Sequence, residues 1–96
     1  MLKYATKENF NEIIKEEKVL VDFYANWCGP CKMISPVLEE LSKDYEIVKV
    51  NIDDLEEIAY QFKVMSIPTL ILFKNGIEDS KKIGYLNKEE IKEWID

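Results

Sequence analysis

Apolar positions recur at helical spacing in four stretches: Phe10, Ile13 and Ile14; Met33, Ile34, Val37, Leu38 and Leu41; Leu55, Ile58, Ala59 and Phe62; and Ile91, Trp94 and Ile95. Each stretch lays one apolar stripe along a helix. Thr6, Asp54 with Glu57 three residues on, and Asn87 with Glu90 three residues on are start signals, the last two in the pattern of a capping box. Between the helices lie short runs of strand-forming residues, Lys18 to Tyr24, Glu46 to Ile52, Thr69 to Lys74 and Lys81 to Gly84, with a stub at Leu2 to Tyr4. Asn75-Gly76 separates the last two runs, and this pair suits a tight hairpin, so those strands should be antiparallel neighbours. The earlier strands alternate with helices, which calls for right-handed crossovers and parallel pairing. The expected fold is α/β: a central mixed sheet, parallel in its N-terminal part and closed by an antiparallel C-terminal hairpin, with helices on both faces. Pro36 falls inside the second helix, where it deletes a backbone donor and should kink the axis.

A chain of 96 residues that is 47% hydrophobic, with three Gly and three Pro, suits one domain spanning residues 1–96. A net charge of -6 opposes a phosphate backbone or an anionic membrane, so neither a nucleic-acid nor a membrane partner is expected. The acidic stretch Asp53 to Glu57 suits a helix cap and a solvated face. The absence of His removes the commonest neutral-pH general base and the commonest zinc ligand. The run Leu70 to Phe73 is far too short to span a membrane, and Met1 to Glu8 lack the apolar stretch of a secretory signal. A cytoplasmic location is the expectation.

Both cysteines lie in Cys28-Gly29-Pro30-Cys31, which leaves none for long-range stapling. A disulfide across so short a loop adds little stability through chain entropy, so reactivity explains the pair better than architecture. An inert disulfide and half of a metal site are the alternatives, the latter needing a second chain because zinc takes four ligands. The motif falls between a strand and a helix, which puts Cys28 at a helix N-terminus. There, free backbone N–H groups and the helix dipole favour thiolate over thiol. Cys28 is the expected nucleophile; Cys31, inside the first turn, is the expected resolving thiol, more buried and less acidic. An acidic Cys28 is also the better leaving group when Cys31 attacks a mixed disulfide, and that attack is intramolecular. Such a pair suits reduction of other disulfides. Gly29-Pro30 adds no charge that would favour an oxidase or isomerase instead.

Asp22 interrupts an otherwise apolar strand, and a carboxylate there is costly unless paired or protonated. It is either a strand-end residue reaching solvent or a buried acid whose pKa is raised by desolvation. Lys49 admits a snorkelling surface reading, Pro68 an ordinary strand start, and Gly84 a simple turn.

The segment Trp27-Cys28-Gly29-Pro30-Cys31-Lys32 resembles the active-site signature of the thioredoxin family. Val21-Asp22-Phe23, Lys49-Val50-Asn51-Ile52-Asp53, Ser66-Ile67-Pro68-Thr69, Phe73-Lys74-Asn75-Gly76 and Gly84 extend the resemblance from about Leu2 to Asp96. It implies a thioredoxin fold and a general protein-disulfide reductase that cycles between a Cys28–Cys31 disulfide and a dithiol. It implies no bound cofactor and no metal, and as partners disulfide-containing client proteins and a thioredoxin reductase; a monomer is expected. Asp22 would take the proton of Cys31, and Lys49 would be its buried partner, lowering its pKa. The resemblance further implies a cis Ile67–Pro68 bond opposite the cysteines, with the Ile67 backbone free to pair with an extended substrate. Gly84 would allow close approach to the same groove, and Trp27 would be a partly exposed ring touching substrate. Three features depart from the family's pattern: Tyr24 where many relatives carry Trp, Met65 and Ser66 in the loop before Ile67, and a short N-terminal strand.

Overall fold

The computed structural model describes all 96 residues, Met1 to Asp96. Its elements run β1 (Leu2–Tyr4), α1 (Phe10–Ile13), β2 (Val19–Tyr24), α2 (Gly29–Leu41), β3 (Ile47–Asn51), α3 (Glu56–Gln61), β4 (Thr69–Lys74), β5 (Ile77–Ile83) and α4 (Lys88–Ile95). They build one five-stranded sheet in the order β1-β3-β2-β4-β5. β1 and β2 both pair parallel with β3. β4 pairs antiparallel with both β2 and β5, so the change of direction falls at the sheet centre as well as at the hairpin.

Because side chains alternate across a strand, β2 feeds two cores. Val19, Val21 and Phe23 pack with Phe10, Val48, Val50, Ile71 and Phe73 on the α1 and α3 face. Leu20 packs with Ile34, Leu38, Leu70, Leu72 and Ile91 on the face covered by α2 and α4. Burial on both faces accounts for the nearly unbroken apolar runs of β2 and β4. Asp22 shares its parity with Leu20 and therefore lies beneath the α2 face.

The local signals fare unequally. Asn87 and Glu90 form the expected reciprocal capping box. Thr6 and Asn9 exchange side-chain-to-backbone hydrogen bonds at 3.1 and 2.7 Å ahead of α1. Asp54 does not cap α3: Leu55 occupies that position, with no side-chain cap bond. Asn51 organises the turn instead: its Oδ1 accepts from the Asp53 and Asp54 backbone N–H groups at 2.9 and 3.3 Å and its carbonyl from the Leu55 N–H at 2.9 Å, which carries the helix start past Asp54. Asn75 and Gly76 sit at φ 54° and 83°, the positive values of the tight hairpin turn. β5 begins at Ile77 rather than at Lys81, because hairpin pairing extends the strand through the polar Glu78–Ser80 segment. α2 runs through Pro36 without interruption.

Candidate functional site

The site forms where β2 ends, between β3 on one side and β4 on the other. This is a switch point of the topology, where connections leave the sheet in opposite directions and a crevice opens. Past Tyr24 the chain turns, and Cys28 becomes the N-cap of α2 with extended backbone at φ -92°, ψ 115°. Pro30 follows within the first turn, where its missing N–H costs nothing. Cys28 Sγ accepts the Cys31 backbone N–H at 3.2 Å, and Cys28 and Cys31 are joined by a disulfide. In this oxidised state the two residues differ little in exposure, 5% for Cys28 against 3% for Cys31. The expected difference in depth is therefore not seen in this state; Cys28 caps α2, and Cys31 lines a cleft with Ser35 and Lys49.

Opposite the pair, the Ile67–Pro68 peptide bond is cis. The Ile67 carbonyl oxygen lies 3.8 Å from Cys28 Sγ, and the Ile67 side chain packs on Ala25, Cys28 and Cys31. Ile67 makes no backbone hydrogen bond within the chain. Thr69 Oγ1 donates to the Ser66 carbonyl at 2.6 Å, and Gly84 N–H donates to the Pro68 carbonyl at 2.8 Å; together they pin the loop on both sides. Gly84 has φ +94°, and a Cβ there would meet nothing within 4 Å. Glycine is thus required by backbone conformation, and open space remains above it.

Trp27 is 69% exposed beside Cys28. Its indole Nε1–H donates to Asp53 Oδ2 at 2.9 Å. Sequence reasoning gives the acidic stretch from Asp53 onward only a capping and solvating role, and misses this anchor. The Asn51 side chain that closes the β3–α3 turn holds Asp53 in place.

Asp22 is completely buried and paired in register with Lys49 across β2 and β3. Lys49 Nζ stands 3.7 Å from Asp22 Oδ2, an ion pair too long for a hydrogen bond. Neither Asp22 oxygen has a hydrogen-bond partner within the protein. Burial raises the Asp22 pKa from the ordinary 3.8 to about 6, with the Lys49 charge opposing that rise. Lys49 is itself buried, 5% exposed, which rules out the snorkelling alternative. Its ammonium donates to Ser35 Oγ at 3.2 Å and stands 4.6 Å over the Tyr24 ring. Tyr24, Cys31, Lys32, Ser35 and Lys49 line one cleft that opens behind the disulfide. Ser35 is not among the sequence-predicted residues; its place four residues after Cys31, on the same helix face, is the signal that could have found it.

A redox-competent cysteine pair at a helix N-terminus, on a sheet of this topology, defines a thiol–disulfide oxidoreductase. The family model described as Thioredoxin matches residues 1–96. A thioredoxin of Staphylococcus haemolyticus is 50% identical over 95 residues, covering 95% of this chain and 91% of that protein. A thioredoxin of Chlamydia caviae is 50% identical over 94 residues, with 95% and 92% covered. Among solved structures, a mutant thioredoxin of Halobacterium salinarum superposes with a TM-score of 0.91 at 31% identity, covering 98% of this chain and 86% of that one. Plasmodium falciparum thioredoxin gives 0.88 at 38% identity, with 97% and 95% covered. The chain belongs to the thioredoxin family, and its chemistry is that of a protein-disulfide reductase working through Cys28 and Cys31.

Proposed function

We propose that Cys28 attacks client disulfides, that Cys31 resolves the mixed disulfide, and that Asp22 carries the proton this requires. The observation behind the order of attack is the N-cap geometry, in which the Cys31 backbone N–H points at Cys28 Sγ from 3.2 Å. In the dithiol, that donor and the helix dipole stabilise a Cys28 thiolate. The thiolate bonds to one client sulfur, and the other client sulfur leaves as a thiolate. Cys31 then gives its proton to the Asp22 carboxylate and attacks Cys28 Sγ. The Cys28–client bond breaks, the second client sulfur departs, and the Cys28–Cys31 disulfide remains. Two electrons have passed to the client, whose thiolates take up protons from solvent and from Asp22. The cysteine pair carries the electrons, so this cycle calls for no bound cofactor.

Client recognition follows the same geometry. The free Ile67 backbone suits pairing with an extended client segment, an interaction that tolerates many sequences. The open space over Gly84 and the exposed Trp27 ring flank that groove. Recycling by a thioredoxin reductase, a monomeric state and a cytoplasmic location complete this reading. The test is a Cys31→Ser variant incubated with disulfide-bearing protein. It should accumulate a stable adduct through Cys28, whereas Cys28→Ser should trap nothing. Adducts formed through Cys31 alone would reverse the order of attack.

A further inference from the structure

Lys49 presents three N–H donors and is 5% exposed, and it is not Asp22 that receives the shortest contact. Ser35 Oγ accepts at 3.2 Å, while Asp22 Oδ2 stands off at 3.7 Å. The Tyr24 ring face, 4.6 Å from the ammonium, supports it from a third side. A movement of under about 1 Å would turn the long ion pair into a charge-assisted hydrogen bond. Nothing in the register of β2 and β3 forbids it, since Asp22 and Lys49 are direct cross-strand neighbours.

We propose that Ser35 is a positioning residue, which draws the Lys49 ammonium toward α2 and so keeps the Asp22 carboxylate free of a direct hydrogen bond and fit to accept a proton. The inference rests on the role proposed above for Asp22. A carboxylate bonded directly to an ammonium holds its charge more tightly and is a weaker base. The groups facing Asp22 are few. β3 contributes Lys49, β4 contributes only the uncharged Leu70, and β2 itself contributes Tyr24 two residues on. Around Lys49, Cys31 and Ser35 of α2 and Tyr4 of β1 line one cleft, with Lys32 at its exposed wall, and Lys7 and Asp54 line the neighbouring one. Lys49 is the cation paired with Asp22, and Ser35 is the one side chain that hydrogen-bonds to it.

The test follows the Asp22 carboxyl by carbon-13 NMR in the oxidised protein, where neither cysteine titrates. In Ser35→Ala the titration midpoint should fall by about half to one pH unit. Ser35→Thr, which keeps the hydroxyl, should titrate with the parent. In a Lys49→Met background, where no ammonium remains to be held, Ser35→Ala should move nothing. A midpoint in Ser35→Ala that is unchanged or raised would overturn the proposal. The pH profile of client reduction separates this inference from the reading beneath it. If its acid limb moves down with the NMR midpoint, both stand. If the midpoint falls and the limb stays, Asp22 is not the working base, although Ser35 still holds Lys49.

Discussion

Replacing Asp22 with Asn removes a charge that burial makes costly while preserving the shape of the side chain. The folded carboxyl releases its proton at about 6, against 3.8 in an unfolded chain. A difference of that size corresponds to about 3 kcal/mol of destabilisation once the group is ionised in both states. The sign follows from proton occupancy. Below pH 3.8 the carboxyl is protonated in both states and no penalty exists; the penalty grows as pH rises and is complete above about 6. Asp22→Asn should therefore match the parent near pH 3.5 and exceed it by about 3 kcal/mol near pH 8. With a urea slope of about 2 kcal/mol/M, the midpoint of the oxidised protein should rise by about 1.5 M at pH 8. Equilibrium unfolding at both pH values measures this directly. The same substitution should slow mixed-disulfide resolution by about 10²-fold, the lower end of what a positioned base contributes. A stability difference that is the same at pH 3.5 and pH 8 would refute the assignment of a desolvated carboxyl. Unaltered turnover would refute its role in proton transfer.

Gly84→Ala keeps the space but not the backbone conformation, since φ is +94° and no neighbour lies within 4 Å. Left-handed backbone without glycine should cost about 1–2 kcal/mol, read as a lower urea midpoint, and an unchanged midpoint would mean that the turn relaxes freely. Asp53→Ala removes the acceptor that holds the Trp27 indole at 2.9 Å. Acrylamide should then quench Trp27 emission more efficiently, and kcat/KM for a protein disulfide should fall by about two- to fivefold, the effect of one hydrogen bond; equal kinetics would mean that the ring needs no anchor.

The central part of the molecule was legible because its physics is local or periodic. β4 matches its apolar run residue for residue, and the Asn87–Glu90 capping box and the Asn75-Gly76 hairpin follow from side-chain chemistry within a few positions. The place of Cys28 at the head of α2 was legible for the same reason, because a strand-like run gives way to a helical stripe across the cysteine motif. What escaped depended on partners distant in sequence. β5 was half missed because it is an edge strand without a buried face, so no alternation marks Glu78 and Asp79. Asp54 does not cap α3 because the turn organised by Asn51, at the end of β3, carries the helix start on to Leu55. Asp53 and Ser35 looked like ordinary polar residues of a turn and a helix. Their partners, Trp27 and Lys49, lie 26 and 14 residues away and are brought to them only by the sheet order.

The most direct test of the account concerns the two sulfurs themselves. The reduced protein should be titrated with iodoacetamide between pH 5 and 10, with the modification at each cysteine quantified by mass spectrometry. Cys28, capped by the Cys31 N–H and seated at the start of α2, should react at a lower pH than an ordinary cysteine, while Cys31 stays largely unmodified. Equal rates and coincident pH profiles at the two positions would contradict the account.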